Sequence, residues 1–114
     1  MIAQNSVAAA TAVLGYDMMT GVSVKAASFP RRLEAVGLRG SAAAGDAAVR
    51  IMIGQTEVAV LYNDTTGFVN RDAMFRVGIG VPKDAEVKAY VTDAPATNPL
   101  NIALDFTDFG MMGV

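Results

Sequence analysis

The sequence predicts an all-β protein, a single antiparallel β-sandwich or barrel of about seven to eight strands, jelly-roll-like or immunoglobulin-like. Three observations carry this. Apolar residues recur with a period of two in run after run, as half-buried strands require. The runs are separated by Gly, Pro, Asn and Asp, which break strands and make turns. No segment between them is long and periodic enough for a crossover helix, so neighbouring strands must run antiparallel. A chain of 114 residues calls for one domain.

Residues 1–20 read as an N-terminal arm or short helix, with Ser6 as the cap, Val7 to Leu14 as the body and Gly15 as the left-handed end. So short a helix does not hold alone in water, so the segment needs its own chain or a neighbour. From Gly21 the period changes to two, with Val22, Val24 and Ala26 alternating with Ser23, Lys25 and Ala27 until Phe29-Pro30 closes the run. Leu33 to Arg39 is the next strand. The stretch 40–45 (GSAAAG) is a flexible loop.

Ala47, Val49, Ile51 and Ile53 share one face of a strand, with Arg50 and Met52 on the other. Gly54-Gln55 then joins it to Glu57–Tyr62 as a hairpin, with Gly supplying the positive φ that a type II′ turn needs first. Residues 63–67 (NDTTG) form a loop of turn residues. Three cleaner alternations follow. Phe75, Val77, Ile79 and Val81 form one, Ala85, Val87, Ala89 and Val91 the next, and Ile102, Leu104 and Phe106 the last. The sandwich therefore occupies residues 21–108, and residues 109–114 (FGMMGV) are an apolar C-terminal tail.

Composition restricts the chemistry. The chain has no His, Cys or Trp. That excludes imidazole acid–base work, thiol nucleophiles, disulfides and Cys/His zinc sites. Of the carboxylate groupings, Asp84 with Glu86, Asp105 with Asp108 and Asp64 with Asp72, none stands in a recognisable acid–base motif. The loop Asn63-Asp64-Thr65-Thr66-Gly67, with Asp72 nearby, offers too few carboxylates for calcium and lacks the EF-hand spacing. Gly78-Ile79-Gly80 lacks the third glycine and the helix of a dinucleotide loop, and reads instead as a strand face that another group approaches closely. Ser23 and Lys25 do not form a Ser-x-x-Lys pair. The expectation is a protein that is not an enzyme and has no cofactor and no small-molecule substrate.

A net charge of -2 and a pI near 4.8 argue against nucleic acid as a partner. Arg31-Arg32 is the one adjacent basic pair, suited to a phosphate, to an acidic subunit edge or to solvent. Ile2 to Leu14 falls short of the roughly 20 residues that span a bilayer, so no membrane role is expected. It also lacks the positive start of a signal peptide, since the first basic residue is Lys25. That points to use in the cytoplasm, or to assembly into a particle there.

The remaining oddity is an apolar excess. The chain is 53% hydrophobic and 18% charged, against a usual charged share of about 25%. Alternating strands account for part of it. The rest sits near the two ends, and it marks Val13, Leu14, Met18, Met19, Phe109, Met111, Met112 and Val114 as candidate subunit contacts.

The Ala-rich start SVAAATAVLG, the strands AAVRIMIG, MFRVGIGV and AEVKAYV, and the apolar end FGMMGV together resemble small single-sandwich capsid, cement or decoration proteins of bacterial and archaeal viruses. The likeness is one of style over most of the chain, with no signature motif. It implies a structural virion subunit that contacts copies of itself or a larger coat protein, with terminal arms crossing to neighbours. The chain departs from genome-contacting capsid proteins in lacking a basic arm, which implies an outer or lattice-filling position. The alternative expectation is a small β-sandwich module that binds a ligand or a protein without catalysis.

Overall fold

A computed structural model describes residues 2–22, 25–40, 45–64, 69, 74–95 and 99–108. Seven strands follow one another: β1 (Ile2–Val7), β2 (Arg31–Gly40), β3 (Ala48–Ile53), β4 (Thr56–Tyr62), β5 (Phe75–Val81), β6 (Val87–Asp93) and β7 (Leu100–Asp108). They form two antiparallel sheets, ordered β1-β7-β2-β5 and β4-β3-β6. The all-β sandwich is therefore the fold.

The strand order separates the two sandwich types. Residues 15–18 lie along the free edge of β6, through the Asp17–Tyr90 bridge. Three backbone bonds fix them there: Gly15 N to Val91 O at 2.8 Å, Val91 N to Tyr16 O at 2.9 Å and Met18 N to Ala89 O at 2.8 Å. Counting this segment as a short second strand, the pairing is nested. The first strand meets the last (β1 with β7), the second meets the seventh (15–18 with β6), then β2 meets β5 and β3 meets β4. Folding that long hairpin over also brings β7 to β2 and β6 to β3. This is the order of a jelly roll. An immunoglobulin sandwich instead sets its first and second strands side by side.

Two N-terminal expectations are corrected. Residues 2–7 are a strand, not the lead-in to a helix, and pair along their length with β7. The alanines beyond close a single helical turn, with Ala12 N bonded to Ala8 O at 3.0 Å. Pairing with β7 satisfies a whole strand of backbone groups, which a helix too short to stand alone cannot match. Of the expected arm, residues 2–7 and 15–18 are thus built into the sandwich. The alternating run 22–27 is no strand in its described part, residues 22 and 25–27, because residues 15–18 already hold the edge of β6.

The core lies between the sheets. Leu33, Val36, Leu38, Ile102, Leu104 and Phe106 from one sheet meet Val49, Ile51, Ile53, Val87, Ala89 and Val91 from the other. The change of phase in β2, from Leu33 to Val36 and Leu38, has a cause in the backbone. A bulge between Leu33 and Ala35 adds one residue and swaps the faces, so all three side chains point inward. The hairpin between β3 and β4 forms as expected, with Gly54 at φ 61° and Gln55 at negative φ, a type II′ turn.

Candidate interaction surface

The sandwich has two long flanks, where the edge strands of the two sheets face each other, and the sequence treats them differently. One flank is closed. Asp17 Oδ1 accepts from the backbone N–H groups of Met19 and Ala89, both at 3.0 Å. Asn5 Nδ2 on β1 donates to Met18 O at 2.6 Å, tying the edge of one sheet to the edge of the other. Beneath these bonds Met18 and Met19 are 0% and 1% exposed. These two methionines, expected at a subunit contact, instead complete the core of their own chain. A short polar staple on each side of an adaptable side chain explains why they turn inward.

Among the described residues the other flank is open. There β4 and β5 face each other, and Val60, Tyr62 and Phe75 are 48%, 60% and 64% exposed. A groove of about 280 Å³ runs between the strands, lined by Ala59, Val60, Leu61, Tyr62, Phe75 and Val77. Phe75 has the inward parity of Val77, Ile79 and Val81, but it lies where the opposite sheet does not cover it. Past Tyr62 the groove continues into a second hollow, bounded by Leu38, Arg39, Asp64 and Phe75. Charges flank this apolar centre as pairs, Arg50 Nε to Glu57 Oε1 at 3.6 Å and Arg39 Nη2 to Asp64 Oδ2 at 3.3 Å. Exposed pairs of this kind add little stability, so the flank presents mainly apolar surface.

Of the other expected contact residues, Val13 and Leu14 stand on the surface, 54% and 69% exposed, at the turn leading into residues 15–18. Phe109, Met111, Met112 and Val114 lie outside the described residues. The open flank was not singled out from the sequence, though a signal existed. Val58-Ala59-Val60-Leu61-Tyr62 is apolar on both faces, which suits either a strand buried on both sides or an exposed edge that awaits a partner.

The polar residues that drew attention as chemical candidates serve the fold. Asn63 is buried. Its Oδ1 accepts from Ala47 N at 2.8 Å, and its Nδ2 donates to Gly40 O at 2.7 Å and Asp64 O at 2.8 Å. With Asp64 held by Arg39, both described members of the 63–67 loop are engaged in structure; Thr65 to Gly67 and Asp72 lie outside the described residues. Arg31 is 2% exposed. Its guanidinium stacks 4.1 Å from the Phe106 ring centroid and donates to Lys25 O at 3.2 Å. Arg32 pairs with Glu34 at 2.6 Å. The two arginines therefore point to different partners and do not form a clamp.

Arg32 also passes over Gly78, where a Cβ would lie 2.7 Å from Nη2. That is the close approach the glycine was expected to allow, and its φ of 60° demands glycine as well. Lys88 is pushed above its ordinary pKa, first by its hydrogen bond to Tyr90, then by the charges of Tyr90 and Glu86. Among the described residues no group of three or more acidic side chains comes together to hold a metal ion. No helix among them is long and apolar enough to cross a membrane.

No protein-family model and no curated protein matches the chain.

Proposed function

We propose that this protein is a structural subunit of a virus particle, a capsid, cement or decoration protein that works through self-association and lattice contacts and resides in the virion. The observation that carries the reading is the asymmetry of the two flanks. One is sealed by Asn5, Asp17, Met18 and Met19, while the other leaves Val60, Tyr62 and Phe75 in solvent. A chain that closes one flank with care and leaves the other apolar is built to meet another surface there. The jelly-roll order supports the reading in a weaker way, because one fold serves many functions. The partners are copies of itself, a larger coat protein, or both.

The test is light scattering coupled to size-exclusion chromatography, with electron microscopy of the purified chain. The expected result is concentration-dependent association into species of defined size. A chain that stays monomeric at millimolar concentration, and keeps its fold after deletion of residues 109–114, overturns the proposal.

A second reading, a small binding module without catalysis, draws on a different observation. A cavity of about 340 Å³ opens beside β1, lined by Gln4, Asn5, Ser6, Val69, Asn101 and Ile102. Its mix of amide, hydroxyl and apolar groups suits a small polar ligand. Calorimetric binding of such a ligand by a strictly monomeric chain decides for this reading.

A further inference from the structure

We propose that the cavity beside β1 is a binding site for one neutral sugar ring, held by the Gln4 and Asn101 amides and the Ser6 hydroxyl against Val69. This deepens the binding-module reading, on which it rests, by naming the ligand.

The cavity follows from strand register. Ala3 and Val7 face the core, so Gln4 and Ser6 face outward from β1. On that outer face Ser6, Asn101 and Arg39 lie side by side on one rung, and Gln4, Ala103 and Gly37 on the next. Val69 sits over Gly37, where a Cβ would lie 2.5 Å from its Cγ1. Val69 therefore forms a wall on the β2 side, and Gln4 and Ser6 form the facing wall, with Asn101 between them. The space is about 340 Å³, at the small end of the roughly 300–1,000 Å³ of small-molecule sites. Asn5 and Ile102 present main chain to it, since the Asn5 side chain turns to Met18 and that of Ile102 lies in the core.

The lining selects the ligand. None of its side chains is charged, and Arg39 on the same rung is held by Asp64, so the site favours a neutral molecule. A carboxamide sets two donors and an acceptor in one plane, and a hydroxyl both donates and accepts. Two neighbouring sugar hydroxyls match a carboxamide, one donating to its oxygen and one accepting from its NH2. The groups are spaced around a ring. Gln4 and Ser6 are two residues apart on one strand, about 7 Å, and Ser6 and Asn101 are directly opposed, about 5 Å. The Val69 methyls offer an apolar face to the C–H groups of the ring. Among the described residues the Gln4 and Ser6 side chains have no partner within the chain, whereas Asn5 between them closes a flank. The lining takes in three residues of β1 and two of β7, too short a groove for an extended peptide. It also lies at the end of the sheet away from β5, so a copy docked on the open flank leaves it uncovered.

The experiment is an NMR titration of the full chain that follows the Gln4 and Asn101 side-chain NH2 signals and the Val69 methyls. The probes are methyl α-glucoside, methyl α-mannoside and methyl α-galactoside, beside the free sugars, with N-methylacetamide and sodium acetate as polar probes that are not sugars. The expected result is a saturable shift of these signals by at least one neutral sugar. Binding of the methyl glycosides assigns a unit of a glycan, and binding of the free sugars alone assigns a free sugar. The dissociation constant should rise about tenfold or more in Gln4→Leu, which keeps the bulk and removes the amide, and in Ser6→Leu, which fills the cavity. It should be unchanged in Tyr62→Ser on the open flank. Gln4 and Ser6 are exposed, so both variants fold, which circular dichroism verifies. Sugar shifts centred on Tyr62 and Phe75, or binding that both leucine variants keep, overturn the site. If acetamide or acetate moves these signals and no sugar does, the sugar is rejected and the binding-module reading stands. If no probe moves them, both fall.

Discussion

Two buried side chains show what single residues contribute. Ile51 is fully buried at the centre of β3, between β4 and β6. A carboxylate there has no cation to meet, and an uncompensated buried charge costs several kcal/mol, a large part of the stability of a small domain. Ile51→Asp should therefore leave no folded protein, seen as loss of the β-sheet circular dichroism signal in whatever remains soluble. Asn63 acts by bonding. Its side-chain hydrogen bonds tie the start of the β3 region to the ends of β2 and β4. Asn63→Ala strands the Ala47 N–H and the Gly40 C=O, and should lower stability by about 1–3 kcal/mol. A shift of the urea midpoint with an unchanged slope is the expected reading. The sequence placed Ile51 correctly from its period of two. It could not show that Asn63 is a staple, because the partners lie 16 and 23 residues away along the chain.

At the scale of elements, local pattern predicted six of the strands and misplaced the first. The runs at β2 to β7 each have a hydrophobic face that survives in the fold, and the Gly54 turn is encoded by two adjacent residues. The residues of β1 carry no such pattern. Gln4, Asn5 and Ser6 interrupt it, and only pairing with β7 makes a strand of them. Conversely the alternation at 22–27 lost its place to residues 15–18, which Asp17 fastens to β6. Asp17→Ala removes the acceptor for both the Met19 and Ala89 amides. The expected outcome is a loss of about 1–2 kcal/mol and faster hydrogen exchange at those two amides, with the β3–β4 hairpin unaffected.

For the whole molecule, the feature with most consequence is the difference between the flanks. Burying Tyr62 and Phe75 against another copy removes apolar area, and the ion pairs beside them are exposed and weak. Association through this flank should therefore persist in high sodium chloride and strengthen in ammonium sulfate, because excluded salts favour apolar burial. Dissociation by moderate sodium chloride, followed by light scattering, would instead show that charges hold the copies together. The terminal residues expected to make contact divide in the same geometry. Met18 and Met19 belong to the core, while Val13 and Leu14 stand outside it.

The sequence by itself determined that this is an all-β sandwich without imidazole or thiol chemistry, and that its apolar residues exceed what one small core uses. Those properties are local or compositional: a period of two, a turn dipeptide, an absent residue type. Tertiary structure decided the jelly-roll order, the inward turn of Met18 and Met19, the stacking of Arg31 on Phe106 and the exposure of Val60, Tyr62 and Phe75. Each of these depends on which distant segment lies alongside. An apolar strand reads the same whether its second face meets another sheet or water, and only the packing of β4 at an edge shows that it meets water.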